Sequence, residues 1–348
     1  MHNQTHRHLL KEVAPYEKSN LKASIWQVCN TLIPFFVLWY LAYLSLDVSY
    51  WLTLPLAVLA AGFLIRVFIL FHDCCHHSFF KNRVANEILG TITGVLTFFP
   101  YHKWKNEHNI HHATSSNLDK RGVGDIWILT VEEYMTASIW TRMAYRMYRN
   151  PFVMFGLGPI FMFLFKNRFN RPKARKAERL NTYLTNIIIV GVTALLCWAI
   201  GWQAFLLIHG PIFLISGAAG IWLFYVQHQF EETYFEHDDE WSYVKAATDG
   251  SSYYKLPKVL QWITGNIGYH HVHHLSPRVP NYYLESAHTN TPPLQHVTTI
   301  TILGSLQAIR FRLWDEANKQ FISFQQFKKG LATNQFITPP IEKTKSAS

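Results

Sequence analysis

The chain has 348 residues, 49% hydrophobic and 16% aromatic but only 16% charged, which is poor in charge for a soluble protein. Its net charge of +10 would suit nucleic acid, anionic lipid or an acidic protein, yet no nucleic-acid-binding motif accompanies it, which leaves lipid or an acidic partner. Cys29, Cys74, Cys75 and Cys197 form no Cys-x-x-Cys pattern, so neither a thiolate metal site nor a disulfide is expected.

Residues 1–22 are polar and basic, lack the apolar stretch of a secretory signal, and are expected as a cytosolic N-terminal segment. Two apolar runs follow: 25–46, with Pro34 inside it, and 51–71, with the single charge Arg66. Each is long enough to cross a hydrocarbon layer of about 30 Å as a helix. Only Asp47-Val48-Ser49-Tyr50 separates them, which predicts a helical hairpin. The runs 184–202 and 203–226, with a turn near Gly201, predict a second hairpin. Two further apolar runs, 88–100 and 151–165, are too short to span and read as interfacial or re-entrant helices.

Orientation follows from charge. Sixteen Lys and Arg lie between His72 and Leu180, whereas neither hairpin turn carries one. The positive-inside rule then places the middle region and both termini in the cytoplasm. The run Arg171-Pro172-Lys173-Ala174-Arg175-Lys176, just before the third span, reads as an ordinary basic anchor rather than a specific headgroup site. The expected architecture is an all-α integral membrane protein with four transmembrane helices in two hairpins and a cytosolic helical layer carrying a dimetal site. One domain covers 23–333, with cytosolic parts 72–183 and 227–333, and 334–348 is expected as a disordered tail.

The cytosolic parts hold three histidine clusters: His72-Asp-Cys-Cys-His76-His77, His108-Asn-Ile-His111-His112 and His270-His271-Val-His273-His274. On a helix, positions i, i+3 and i+4 share a face, so the imidazoles of each cluster are expected to converge on one point. His77 lies about 140° from His72, and His271 about 100° from His270, so both face elsewhere. Eight imidazoles remain: His72, His76, His108, His111, His112, His270, His273 and His274. They are too many for one ion and fit two, at four to five each. His228, at the end of the fourth span as His72 is at the end of the second, is a ninth candidate. No carboxylate sits at ligand spacing in the clusters, and imidazole alone suits iron, copper, zinc or nickel. Asp73, Glu107, Asp119 and Asp125 are candidates to fix histidine tautomers, or else surface charges. A dimetal centre at a lipid interface suggests oxygen activation on an apolar substrate; zinc hydrolysis is also chemically open.

These residues resemble the three histidine boxes of the membrane fatty acid desaturases, H-x3/4-H, H-x2/3-H-H and H-x2/3-H-H, with His228 in the place of the extra ligand near the last span. The text from His111 to Trp127, the run Tyr225-Val-Gln-His-Gln-Phe-Glu-Glu, and His273-His274-Leu-Ser-Pro-Arg-Val-Pro-Asn-Tyr are similar to bacterial acyl-lipid desaturases, closest to the Δ5 phospholipid desaturases induced by cold. The resemblance covers about residues 20–310. It implies two irons held by the nine histidines, dioxygen as co-substrate, electrons from a ferredoxin- or flavodoxin-type donor, and a cis double bond formed in a phospholipid acyl chain. Lys103, Lys105, Lys120 and Arg121 would suit an acidic donor, or anionic headgroups equally. His77 stands where relatives commonly carry Gly or Gln and is a reserve ligand in place of His76; Cys75 also departs from the pattern.

The boxes alone are shared with membrane hydroxylases and with alkane or carotenoid oxygenases; the surrounding text favours desaturation. A haem-binding electron carrier would need axial histidines deep in the spans, where only His209 lies, and a metal transporter would need polar groups along them. Trp104, Trp127 and Trp222 are candidates to line an acyl channel, with core packing or an interfacial belt the stronger reading for each.

Overall fold

The computed structural model describes residues 2–333 together with 335 and 336. The first element is a helix, α1 (His2–Val13), whose Leu9 and Val13 bury themselves beside residues of the C-terminal part of the chain. Leu9 and Val13 thus dock the N-terminal segment expected as polar and basic.

Among the described residues, four helices are long and apolar enough to cross a membrane: Leu21–Ser45 (α2), Tyr50–Cys75 (α3), Lys176–Ile200 and Trp202–His228. The first two form the expected hairpin. Asn20 caps α2 by accepting from the Ala23 amide at 3.2 Å, and Ser49 caps α3 through the Trp51 amide. Ala42, Ala57, Ala60 and Ala61 are fully buried in this part of the core; small side chains let the backbones approach. The one charge in the second span is enclosed: Arg66 donates to Thr31 Oγ1 at 3.0 Å and lies 4.0 Å over the Trp262 ring. Both spans run past their apolar stretch, so α3 carries His72 beyond the apolar core and ends at Cys75, beside His76.

The short apolar run 88–100 becomes α4 (Arg83–Leu96), about 21 Å long and below the bilayer thickness. It packs on α3 while Val84, Ile88 and Ile92, one stripe at i, i+4 and i+8, stay exposed. Gly90 permits the approach of the next helix, α5 (Tyr101–Thr114): a Cβ there would lie 2.3 Å from the Tyr101 ring. Tyr101 donates to Cys74 O at 2.8 Å and ties the start of α5 to the end of α3.

Beyond α5 the chain forms β1 (Leu129–Thr130), α6 (Val131–Thr136), α7 (Ile139–Tyr148), a π-helical stretch over Phe152–Leu157, and α8 (Gly158–Leu164). The run 151–165 is therefore two short helical pieces, with Phe152, Leu157, Phe161 and Leu164 exposed. The second long pair follows as α9 (Lys176–Ile200) and α10 (Trp202–His228), reversed at Gly201, whose φ of +85° favours glycine. In its most apolar window α9 is 11% buried against 50% for α3, so α9 is peripheral and α3 central.

The remainder lies on the side where α3 and α10 end. It comprises α11 (Tyr243–Thr248), β2 (Tyr253–Lys255), α12 (Lys258–Ile263), α13 (His270–Leu275), α14 (Leu284–Asn290), β3 (Thr299–Thr301), α15 (Ile302–Ser305), β4 (Leu313–Asp315), β5 (Gln320–Ile322) and α16 (Phe324–Ala332). β2 pairs parallel with β3; β4 pairs parallel with β1 and antiparallel with β5. Arg149 locks this layer onto α10: its buried guanidinium donates to Phe311 O at 2.7 Å, Gln229 Oε1 at 3.1 Å and Tyr225 Oη at 3.2 Å. All four cysteines are free thiols. The segment expected as a tail falls outside the described residues apart from Gln335 and Phe336, and the Phe336 ring stacks on Phe327 at 5.8 Å.

Candidate metal centre

Three helical ends deliver the histidines: the end of α3, the second half of α5, and the short α13, with His228 closing α10. Their imidazole nitrogens form two groups, each within 4.8 Å: His72, His76, His108, His112 and His273 in one, and His111, His228 and His274 in the other. His270 joins the second, its Nε2 being 3.0 Å from His228 Nε2 and its ring 4.5 Å from that of His274. The groups adjoin, since the His112 and His274 rings stack at 4.3 Å.

The expectation that each box converges on one point is corrected here. In α5, His108 and His112 enter the first group and His111 the second; in α13, His270 and His274 face the second group and His273 the first. The reason is angular. Positions i and i+4 are separated by about 40°, whereas i+3 lies about 100° from i+4. An i, i+4 pair can therefore share one point while the i+3 imidazole is splayed toward the next. Each of these two boxes contributes to both groups.

Acceptors behind the rings set their tautomers. His72 Nδ1–H donates to Asp73 Oδ1 at 3.1 Å, His111 Nδ1–H to Asp125 Oδ1 at 2.5 Å, and His228 Nδ1–H to the Gly250 carbonyl at 3.1 Å. Each bond leaves Nε2 with its lone pair directed away from the acceptor and into the group. Asp73 is itself held: Oδ2 accepts from the Asn281 amide at 2.7 Å and from Asn281 Nδ2 at 2.8 Å, and Asn281 exchanges two bonds with Gln27 at 2.6 and 3.0 Å. Asp125 reaches His111 because the loop before it runs close along α5. A Cβ on Gly124, whose φ is +79°, would lie 3.0 Å from Glu107 O and from His111 Cβ. Glu107 and Asp119 touch no histidine of the two groups: Glu107 accepts from Lys103 at 2.8 Å, and Asp119 pairs with the exposed His237 at 2.9 Å.

The residues fit a pair of cations. His112 Nε2 lies 3.1 Å from His108 Nε2 and 2.9 Å from His273 Nε2, so three nitrogens crowd one point that a single proton cannot satisfy. Nε2 of His76, His111 and His274 are buried with no hydrogen-bond partner. Burial, reinforced by neighbouring imidazoles, pushes His108, His112, His270, His273 and His274 well below the ordinary histidine value, so these rings are neutral donors at physiological pH. Apolar rings cover the centre: Trp104 stacks on His108 at 4.2 Å, and Phe224 lies 5.1 Å from both His111 and His228.

His77 and His271 stand apart. His77 adopts φ of +55° just past α3 and turns its Nε2 to Lys105; His271 Nε2 pairs with His288 Nδ1 at 3.0 Å. The cations expected to suit an acidic donor or headgroups each have a partner within the fold. Lys103 is buried on Glu107, Lys105 meets His77, Lys120 pairs with Asp238 and Arg121 with Glu133, so their charges are largely spent within the fold. Of the three tryptophans, Trp104 lies against the His72 and His108 rings, Trp127 is partly exposed, and Trp222 donates to Tyr254 Oη at 3.4 Å. Sequence reading missed Asn281, Gln27 and the Gly250 carbonyl, because each meets its partner across more than 20 residues of chain.

The family model described as fatty acid desaturase matches residues 49–300. The chain is 65% identical over 322 residues to a fatty acid desaturase of Bacillus subtilis (strain 168), covering 92% of each chain. It is 28% identical over 256 residues to an sn-1 oleoyl-lipid 12-desaturase of Synechocystis sp., covering 71% of this chain and 70% of that one. It is 29% identical over 257 residues to a chloroplastic omega-6 fatty acid desaturase of Arabidopsis thaliana, spanning 53% of that protein.

Proposed function

The chain belongs to the fatty acid desaturase family, and from that premise we propose that it forms a cis double bond, at Δ5, in the acyl chains of membrane phospholipids. The observation that carries this reading is the pair of adjoining all-imidazole groups at the ends of two membrane-spanning helices. His72, His76, His108, His112 and His273 would hold one iron, and His111, His228, His270 and His274 the other. Two bound irons would supply the redox chemistry by which one O2, two electrons and two protons convert –CH2–CH2– into –CH=CH– with release of two waters.

The chain's own part is positional. Neutral imidazoles offer lone pairs without a proton to displace, and Asp73, Asp125 and Gly250 O hold three of them in the required tautomer. Trp104 and Phe224 keep water from the apolar side. Lipid-linked substrate is supported by the cyanobacterial relative, whose name places its action on an oleoyl lipid. Δ5 rests on the resemblance of the residues around the second and third boxes. The electron source is a ferredoxin- or flavodoxin-type protein, and the excess of Lys and Arg between the second and third spans supports a cytoplasmic metal site with both termini on the same side of the cell membrane.

The test is expression in a bacterial host lacking the product, with acyl chains profiled by gas chromatography–mass spectrometry and double-bond localisation, beside a His111→Ala control. A new Δ5 chain absent from the control is expected. A bond at another carbon would refute the regiochemistry, and hydroxylated chains would identify a hydroxylase. No change in the acyl chains, with iron bound and reductant supplied, would refute lipid oxidation in that host and direct the search to carotenoids and alkanes.

A further inference from the structure

Directly behind the metal-facing side of α5 lies a cavity of about 350 Å³ lined by Asn106, Asn109, Ile110 and Ala113 of that helix and by Arg171, Lys173, Arg175 and Glu178. On the helical wheel the four α5 positions centre about 150° from His108, so one helix diameter, about 10–12 Å, separates this cup from the imidazoles.

Its charge is unmatched. Lys173, Arg175, Lys176 and Arg179 are exposed and make no ion pair among the described residues. Arg171 comes only to 3.9 Å of Glu107, which Lys103 already holds. The one acid in the cup, Glu178, is buried and accepts from Asn106 at 2.7 Å. Lys103, Lys120 and Arg121 are engaged with carboxylates and Lys105 with His77, whereas this strip presents several exposed cations without a paired acid.

Depth separates the two anions that would fit. The apolar, lipid-exposed part of α9 begins near Leu184, and Arg175 stands nine residues before it, about 13 Å along the axis. The headgroup layer occupies only about 5–7 Å on each side of the hydrocarbon, and a tilt near 20° shortens the rise by less than 1 Å. Lys176 and Arg179 are within reach of phosphates, whereas Arg175, at the cap of α9, stands beyond them in water.

We propose that this cup is the docking face for the acidic one-electron carrier that reduces the metal centre, two carrier molecules each giving up one electron per double bond formed. The assignment rests on the oxidative reading above and locates its electron entry: the carrier seats on the outer face of α5, whose inner face holds His108, His111 and His112.

The experiment uses the full chain, iron-loaded, in nanodiscs of neutral lipid, with a photoreduced acidic flavodoxin as probe. The Lys173→Glu/Arg175→Glu variant, both residues being exposed, is compared with wild type and with Lys328→Glu/Lys329→Glu on α16. Carrier-driven reduction is expected to fall 10–100-fold at low salt in the cup variant, with its salt dependence flattened, and to be unchanged in the α16 variant. Turnover with dithionite, which needs no docking face, is expected to match wild type. Equal carrier-driven rates and salt slopes in wild type and cup variant would overturn the docking face. So would a loss seen only in nanodiscs of anionic lipid, which would assign the strip to headgroups. A wild type that binds iron but fails to desaturate with dithionite would overturn the oxidative reading itself.

Discussion

Asp73→Asn isolates one contact of the centre without changing its volume. The native carboxylate accepts the His72 Nδ1 proton on one oxygen and two donors from Asn281 on the other. An amide has a single oxygen, and the two Asn281 donors claim it. Its NH2 then faces His72 Nδ1, which must accept rather than donate, and the His72 proton moves to Nε2, the atom required as ligand. Restoring the ligating tautomer sacrifices a hydrogen bond to a charged group, about 1.5–3 kcal/mol. At 1.36 kcal/mol per decade this is roughly a 10–100-fold loss of affinity, the range usual for such outer partners. Only the ion of the first group should feel it, because Asp73 contacts no histidine of the second. The assay is iron retention against graded chelator, read by mass spectrometry of the metal, with circular dichroism to verify the fold. One of two irons is expected to leave at 10–100-fold lower chelator, and Asp125→Asn should weaken the other. Unchanged retention of both irons in folded Asp73→Asn protein would refute the reasoning, as would parallel loss of both.

Other outcomes follow from the packing. Arg149→Ala removes four hydrogen bonds and should cost about 2–4 kcal/mol, read as a lowered melting temperature, whereas the exposed Lys328→Ala should change it little. Gly90→Ala would drive a methyl into the buried Tyr101 ring and should destabilise by about 1–3 kcal/mol; Gly191→Ala, with nothing within 4 Å, should be neutral in the same melt. His237 pairs with Asp119 and Glu316, and these bonds raise it above the ordinary value of 6.5. A raised folded value stabilises fully below the unfolded one and fades as pH rises through the folded one. The melting difference between wild type and His237→Gln should therefore shrink from pH 6 upward, and a difference that grows instead would contradict the assignment.

Much of this protein was legible from local patterning. Four stretches of bilayer length announced the spans, and the helices reproduce them with polar extensions such as the first two turns of α9. The histidines were legible too, because three boxes at helical spacing recur outside the apolar runs. Angle alone turned His77 and His271 from their neighbours, though His77 was kept as a reserve ligand, and the structure places both rings on other partners.

What tertiary structure decided is the sorting. Within one helix the angle between His111 and His112 is set, but the group each joins depends on whether His228 or His76 stands opposite, and those arrive on other elements. Asp73 and Asn281 meet across 208 residues, and Lys120 meets Asp238 across 118, so neither the tautomer lock nor the spent charge leaves a trace in nearby sequence. Helical period and hydropathy are properties of a few neighbouring residues and survive in any context. Hydrogen bonds and charge pairs between distant segments exist only once the chain is packed, and here they determine which imidazoles form each group and which cations remain for a partner.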